Sequence, residues 1–217
     1  FANAPDTDYA ISEHRAAAAT AMQTVRQQLG QRYAPIINGE SVSTDDSLDS
    51  VNPSSPAELV GKVGLASAAQ ADQALAAAKA AFPAWAATPA QERAAILRRA
   101  ADLMTARRHE LSAWIVLEVG KPLGQADPEV SEAIDFCRFY ADEMERLDTG
   151  YAYDYPGETN RYRYFPRGIG VVISPWNFPL AITAGMTVAS LVAGNCTLLK
   201  PAENSSVIAA KLVEILY

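Results

Sequence analysis

Hydrophobic positions in the first two thirds of the chain recur mainly at helical spacing. An Ala-rich run over residues 12–28 begins at Ser12, a capping residue, and is followed by Gly30, which predicts a helix. Ser67 and Gln70 have the spacing of a capping box and open a second helix, which Pro83 is expected to close.

Three further segments with helical spacing follow. The first opens at Pro89, and its apolar face consists of Ala94, Leu97, Ala101 and Met104. The second covers about residues 111–119 and stops at Gly120, and the third runs from about Pro128 to Leu147. Charged side chains lie on the opposite faces, so the sequence predicts a solvated helical layer.

Short apolar runs predict strands before this helical layer. Residues 33–37 end at the turn dipeptide Asn38-Gly39, and Val42 begins the return strand. Residues 59–65 form another apolar run and are predicted as a strand. The polar segment 45–50 between these strands is expected to be a loop.

Aromatic residues alternate with other residues after Gly150. They are Tyr151, Tyr153, Tyr155, Tyr162, Tyr164 and Phe165. A period of two and aromatic content predict a β-hairpin. Such a hairpin either stands out and pairs with another subunit or forms an ordinary sheet edge, and the pattern leaves both open.

The C-terminal segment alternates between strand and helix. The apolar runs 168–173 and 196–200 are predicted as buried strands, and residues 179–193 and 205–216 as apolar helices. This order in fully apolar elements is typical of an α/β fold, with a parallel sheet covered by helices on both faces.

Composition excludes several classes of protein. The 217 residues are 49% hydrophobic and 20% charged with a net charge of −7, which argues against disorder and against nucleic-acid binding as the main role. No apolar run reaches the roughly 20 residues of a membrane span. Two cysteines, interpreted as buried and structural, and two histidines give no disulfide framework and no metal site, which favours a reducing compartment.

Two polar loops follow the predicted C-terminal strands, where parallel sheets bind ligands. In the first loop, Pro175 and Pro179 fix φ and stiffen the chain around Asn177. A side-chain amide held there can donate to a developing oxyanion. The other interpretation is that Asn177 caps the helix that follows.

The second loop begins at Lys200 and includes Glu203. A lysine at the end of an apolar strand is explained if its ammonium donates to sugar hydroxyls or phosphate. A carboxylate can accept from both hydroxyls of a ribose and would repel a 2′-phosphate, which favours NAD over NADP. The alternative is a weak surface ion pair between Lys200 and Glu203.

Two motifs in these loops resemble the aldehyde dehydrogenase superfamily. They are Gly170-Val-Val-Ile-Ser-Pro-Trp-Asn-Phe-Pro179 and Gly194-Asn-Cys-Thr-Leu-Leu-Lys-Pro-Ala-Glu203, and their combination and spacing are highly specific. Residues 1–8, 132–141 and 179–186 are similar to one subgroup, the L-glutamate γ-semialdehyde (1-pyrroline-5-carboxylate) dehydrogenases. That activity occurs as a single enzyme and as the second half of the bifunctional proline utilization A protein.

The resemblance implies a role for each site residue. Asn177 matches the amide that stabilises the oxyanion, and Lys200 with Glu203 match the pair that binds the cofactor ribose. The wall along the NAD cofactor is matched by Ile173, Ser174, Pro175 and Trp176. No metal is implied, and the segment 150–167 matches the arm that pairs subunits in a homo-oligomer.

The resemblance also implies an atypical Rossmann-type α/β fold with a protruding β-hairpin arm, incomplete in this chain. We expect an N-terminal helix and strand in 1–40 and a mostly helical part of the NAD-binding domain in 41–149. The arm occupies 150–167, and the first β-α-β-α of the dinucleotide-binding core occupies 168–217. A proline dehydrogenase domain precedes the chain if the parent is bifunctional.

The family's cysteine nucleophile and glutamate base lie downstream of Glu203, beyond this chain. Because the chain starts at Phe1 and stops in mid-pattern at Tyr217, we expect the N-terminal part of a longer cytoplasmic enzyme, inactive alone. The implied whole oxidises L-glutamate γ-semialdehyde to L-glutamate with NAD in proline catabolism. The alternatives are another semialdehyde dehydrogenase and a short, non-catalytic module that binds nucleotide or pairs subunits.

Overall fold

The computed structural model describes all of residues 1–217 as a mixed α/β structure. The helices are α1 (Ser12–Arg26), α2 (Ala68–Ala87), α3 (Ala90–Ala106), α4 (Arg108–Val119), α5 (Leu123–Asp148), α6 (Ala181–Val192) and α7 (Ser206–Leu216). The strands are β1 (Gln31–Tyr33), β2 (Ile36–Ile37), β3 (Glu40–Ser41), β4 (Asp46–Asn52), β5 (Ser55–Leu65), β6 (Tyr151–Tyr155), β7 (Glu158–Tyr162), β8 (Ile169–Ile173) and β9 (Cys196–Lys200). None of the helices combines the length and hydropathy needed to cross a membrane.

The hydrophobic core lies mainly among α3, α4, α5, α6 and α7. The face predicted for α3 is confirmed, since its four apolar side chains are each at most 1% exposed, and they are Ala94, Leu97, Ala101 and Met104. Trp114 of α4 and Ile134 of α5 are fully buried in the same cluster. Each large apolar side chain buried in this way contributes roughly 1.5–3 kcal/mol, so this helical layer is the rigid support for the C-terminal segment.

The start of α2 and the end of α4 lie where the sequence predicts them. The capping box before α2 is present, because the Gln70 N–H donates to Ser67 Oγ at 3.2 Å and the Ser67 N–H donates to Gln70 Oε1 at 2.9 Å. Gly120 ends α4 with a φ of +71°, a conformation that favours glycine. Both predictions are confirmed.

Two predictions about prolines are wrong. α2 continues through Pro83 to Ala87, because Pro83 faces solvent, where water can bond the carbonyl group that loses its helical partner. α5 begins at Leu123, five residues before Pro128. Its first turns are held by Asp127, whose carboxylate accepts from the Thr7 N–H at 2.7 Å. Tertiary contacts override the local signal here.

The polar segment 45–50 is largely a strand and not the predicted loop. β4 runs antiparallel to β5, which also pairs in parallel with β1, giving the sheet order β1-β5-β4. The inward residues of β4 include Ser50 and Asn52, which are buried polar side chains. The apolar pattern of a strand is weak in β4, because polar, hydrogen-bonded side chains occupy its buried positions where apolar side chains are usual.

The aromatic hairpin is confirmed. β6 and β7 pair antiparallel from Tyr151 opposite Tyr162 to Tyr155 opposite Glu158, and all ten residues are exposed. The two strands form a sheet of their own and pair with no other strand of residues 1–217. The hairpin is therefore a separate projection and not the edge of a larger sheet.

The C-terminal parallel pair is present, with α2 and α6 packed against it. One prediction about it is wrong, since neither strand is fully buried, and β9 has no fully buried residue. Val172 is 5% exposed, but Val171 and Ile173 are 61% and 66% exposed. Alternate residues of a strand point to opposite faces, and one face of β8 is open to solvent within these residues.

Candidate active site

The carboxyl ends of β8 and β9 lie side by side. Ile173 pairs with Lys200 in the parallel register, so the loops 174–179 and 201–204 leave the sheet at the same edge. Ligands of parallel sheets bind at this edge. The structure thus brings together the two loops that the sequence analysis singled out.

The first loop is held at both ends by hydrogen bonds. At its start, Thr183 Oγ1 donates to the buried Ser174 Oγ at 2.8 Å. At its end, the N–H groups of Leu180 and Ala181 donate to Glu129 Oε1 at 2.7 and 3.2 Å. These contacts hold the two ends of the loop against α5 and α6.

Asn177 lies between these two anchors with its side-chain amide free. The residue is exposed and its side chain has no hydrogen-bond partner in the chain, while α6 has Leu180 at its N-cap and no side-chain cap. The alternative that Asn177 caps α6 is therefore wrong. Its amide N–H groups remain available to a bound molecule.

A cavity of about 600 Å³ opens beside Asn177. It lies between the α4–α5 connection and the first loop, and its lining includes Lys121, Trp176 and Phe178. Lys121 Nζ lies 4.1 Å from the ring centroid of Phe178 and is also ion-paired with Glu129. A volume of this size suits a small organic molecule, and Asn177 is one of the residues that line it.

Lys200 and Glu203 are exposed at the end of the second strand and its loop. The surface ion pair considered from the sequence is not formed, since neither side chain belongs to any ion pair of residues 1–217. An ammonium donor and a carboxylate acceptor are therefore both free at this edge. Hydroxyl groups of a sugar can bond to such a pair.

Apolar surface lies next to these charged groups. Ile173 and Trp176 are 66% and 56% exposed, and Pro175 is half-buried. Ser174 differs from them, since its hydroxyl is buried and engaged with Thr183. The edge therefore offers exposed apolar side chains, and the side chain of Ser174 is not among them.

The helix that follows the second loop is capped by another buried carboxylate. The N–H groups of Val207 and Ile208 each donate to Glu118 at 2.7 Å, and Ser50 Oγ donates to it at 2.9 Å. Glu118 is 3% exposed, and this burial raises its pKa to about 7 against the opposing effect of the three hydrogen bonds.

Glu118 and Glu129 were missed in the sequence analysis. The sequence does contain a signal for them. Both glutamates lie among apolar helix residues, and a carboxylate buried there needs a hydrogen-bond donor or a cation as its partner. The partners themselves are 89 and 51 residues away in the chain, so the pattern alone does not identify them.

Neither cysteine is a nucleophile in this arrangement. Cys137 is fully buried on α5, and burial raises the pKa of its thiol to about 12. Cys196 begins β9, at the opposite end from Lys200, and burial raises its pKa as well. Nucleophilic cysteines have a lowered pKa, which neither thiol has. The prediction that both are buried is wrong for Cys196, which is only half-buried.

Relatives of known identity match the whole chain. The 1-pyrroline-5-carboxylate dehydrogenases of Geobacillus thermodenitrificans and of Geobacillus kaustophilus are each 47% identical over 217 residues. These matches cover 100% of this chain and 42% of the relatives, so the chain spans less than half the length of the curated relatives it matches.

Solved structures agree with these relatives. Proline utilization A from Bdellovibrio bacteriovorus has a TM-score of 0.98 at 42% identity, covering 100% of this chain and 23% of that one. A 1-pyrroline-5-carboxylate dehydrogenase from Thermus with bound NAD has a TM-score of 0.96 at 43% identity, covering 100% and 42%. A model described as the aldehyde dehydrogenase family matches residues 40–217. The chain therefore belongs to the aldehyde dehydrogenase family.

Proposed function

We propose that the natural full-length protein is an NAD-dependent dehydrogenase that oxidises L-glutamate γ-semialdehyde to L-glutamate in proline catabolism. Relatives named for 1-pyrroline-5-carboxylate dehydrogenase match from the first residue to the last, which supports this substrate over another semialdehyde. The part of the protein in residues 1–217 supplies an oxyanion-stabilising amide and one side of the cofactor site.

The free amide of Asn177 is the observation that carries the proposal. In aldehyde oxidation, a thiolate attacks the carbonyl carbon and the carbonyl oxygen becomes an oxyanion. A hydride then leaves that carbon, and water hydrolyses the resulting thioester. Asn177, in a loop held at both ends and beside a cavity, can donate to the oxyanion without reorganising.

The residues present fit NAD on the chemistry of their donors and acceptors. Lys200 and Glu203 are free to bond the two hydroxyls of the adenosine ribose, and the carboxylate would repel the 2′-phosphate of NADP. Ile173, Pro175 and Trp176 form the wall beside the cofactor, with the backbone of Ser174. When bound, NAD supplies the hydride acceptor.

The nucleophile and the base of this mechanism come from outside residues 1–217. The two cysteines of these residues have raised pKa values, whereas a nucleophilic thiol has a lowered one. We therefore expect residues 1–217 alone not to oxidise the aldehyde.

The assembly and setting of the protein are also part of the proposal. The exposed tyrosine hairpin, residues 150–167, would pair subunits of a homo-oligomer, because its strands have unpaired outer edges and apolar side chains. If the natural protein is bifunctional, the likeness to proline utilization A supports a proline dehydrogenase domain upstream of residues 1–217. The two free cysteines suit a cytoplasmic setting.

The decisive experiment compares aldehydes and variants in the natural full-length protein. We expect L-glutamate γ-semialdehyde to give the highest kcat/KM with NAD, ahead of semialdehydes one carbon shorter or longer. Asn177→Ala should lower kcat roughly 100-fold with little change in the Kd for NAD. Gln91→Ala, which removes an exposed amide on α3, is the matched control. An unchanged kcat for Asn177→Ala would remove Asn177 from the mechanism.

A further inference from the structure

The first loop owes its position to a carboxylate that belongs to a different helix. Glu129 lies in the second turn of α5 and is 2% exposed. Its Oε1 accepts the N–H groups of Leu180 and Ala181, which are otherwise unbonded donors at the start of α6. One side chain thus fixes the end of the loop that carries Asn177.

The other oxygen of Glu129 is matched by a cation. Lys121, in the connection between α4 and α5, is ion-paired with Glu129 Oε2 and lies over the ring of Phe178. Phe178 is the residue directly after Asn177. The ion pair therefore holds the loop in two places, through the helix N–H groups and through the aromatic ring.

The opposite end of the loop has no comparable charge. Ser174 is held by a single neutral hydrogen bond from Thr183, and Asn177 has no bond of its own. An oxyanion donor must sit within a few tenths of an ångström of its place to be effective. Asn177 depends on the Glu129 anchor for that placement.

From this geometry we propose that Glu129, ion-paired with Lys121, is a positioning residue for oxyanion stabilisation that acts through Asn177. This inference rests on the proposed function, since it needs Asn177 to face the reacting carbonyl. Glu129 itself contacts neither the substrate nor the cofactor in this scheme. Its effect on rate should therefore disappear when Asn177 is absent.

The test is a double-mutant cycle in the natural full-length protein. The first-turnover rate of NADH formation is measured for the wild type, Glu129→Gln, Asn177→Ala and the double variant. Glutamine keeps the volume but places an NH₂ group against either Lys121 or the helix N–H groups. We expect Glu129→Gln to lower the rate about tenfold in the wild type and less than twofold beside Asn177→Ala.

Asp127→Asn provides the matched control. Asp127 lies two residues earlier on the same helix, is 1% exposed, and is ion-paired with Arg108 at 3.0 Å, but it bonds Thr7 and not the loop. The Asp127→Asn variant should lose stability as the Glu129→Gln variant does, but it should keep the first-turnover rate of the wild type. This separates a change in rate from a general loss of folding.

Each other outcome overturns a specific statement. If Asn177→Ala leaves the rate unchanged, both the role of Asn177 and the positioning role of Glu129 are wrong. If Asn177→Ala slows the reaction but Glu129→Gln slows it equally in both backgrounds, the proposed function stands and the positioning role fails. An equal loss of rate in Asp127→Asn would show that Glu129 acts only through stability.

Discussion

The two helices that follow the parallel strands are anchored in the same way but with different electrostatics. α6 has its first N–H groups bonded to Glu129, and α7 has its first N–H groups bonded to Glu118. Lys121 neutralises the charge of Glu129. Glu118 has no cationic partner among residues 1–217 and instead accepts a hydrogen bond from Ser50.

The difference shows what a buried cap requires. A carboxylate at a helix N-terminus is favoured by the N–H groups and the helix dipole, but burial opposes its charge. With Lys121 present, the cap of α6 is an ion pair. Without a cation, burial raises the pKa of Glu118 to about 7, so the charge of the α7 cap depends on pH near neutrality.

Both anchors also bear on cofactor binding. Phosphate groups often bind at helix N-termini, yet the first N–H groups of α6 and α7 are already bonded to carboxylates. A negatively charged pyrophosphate would have to displace a buried glutamate to bind there. We therefore expect these two helices to support the binding loops without contacting phosphate.

Removing the cation should have the largest effect. Lys121→Met leaves Glu129 buried without its counter-ion, and we expect a loss of about 4 kcal/mol in the free energy of unfolding, measured by urea unfolding of the full-length protein. Lys62→Met, which breaks an exposed ion pair with Asp49, should cost less than about 1 kcal/mol. Equal losses for the two variants would mean that the Lys121 pair is no stronger than a surface pair.

The second prediction concerns pH and Glu118. Its pKa is about 7 in the folded protein and about 4.5 as an isolated side chain, so between these values only the folded state keeps the proton. Stability from this group is therefore lost as pH rises from 5 to 8. Relative to Glu118→Gln, the wild type should lose about 3 kcal/mol over this range, measured by urea unfolding at each pH.

Glu110→Gln is the control for that trend. The Arg107 hydrogen bond lowers the pKa of Glu110, so its contribution is lost only at acid pH and the difference from wild type should stay flat from pH 5 to 8. A flat difference for Glu118→Gln as well would contradict the contrast between the two caps, because it would mean that Glu118 keeps its charge throughout.

The smallest effect is expected in the loop before α7. Glu203→Gln removes an exposed acceptor that does not hold the fold, so we expect unchanged stability and about tenfold weaker NAD binding, which corresponds to about 1.4 kcal/mol. Isothermal titration calorimetry on the full-length protein measures the Kd, with Glu92→Gln on α3 as the control. An unchanged Kd would remove Glu203 from the cofactor site.

Local signals in the sequence predicted much of the fold. The capping box at Ser67, the stop at Gly120 and the aromatic hairpin each depend on neighbouring residues, and each is present. β4 was missed because its buried positions hold Ser50 and Asn52, whose hydrogen-bond partners are Glu118 on α4 and Glu58 on the neighbouring strand β5. The sequence pattern does not show that a polar residue will be buried and hydrogen-bonded in the folded protein, so it does not predict a strand of this kind.

The candidate site was predicted in the same partial way. The positions of Asn177, Lys200 and Glu203 follow from where strands end, and the structure places their loops at one edge. The alternatives of a helix cap and an ion pair were excluded only by contacts in three dimensions. The anchors Glu118 and Glu129 join elements far apart in the chain, so only the folded structure reveals them.

A crystal structure of the full-length protein with bound NAD tests the central claim most directly. We expect Lys200 Nζ and the Glu203 carboxylate within hydrogen-bond distance of the adenosine ribose hydroxyls. Glu129 and Glu118 should still hold the first N–H groups of α6 and α7. A pyrophosphate bound to either helix N-terminus, with its glutamate displaced, would contradict the account.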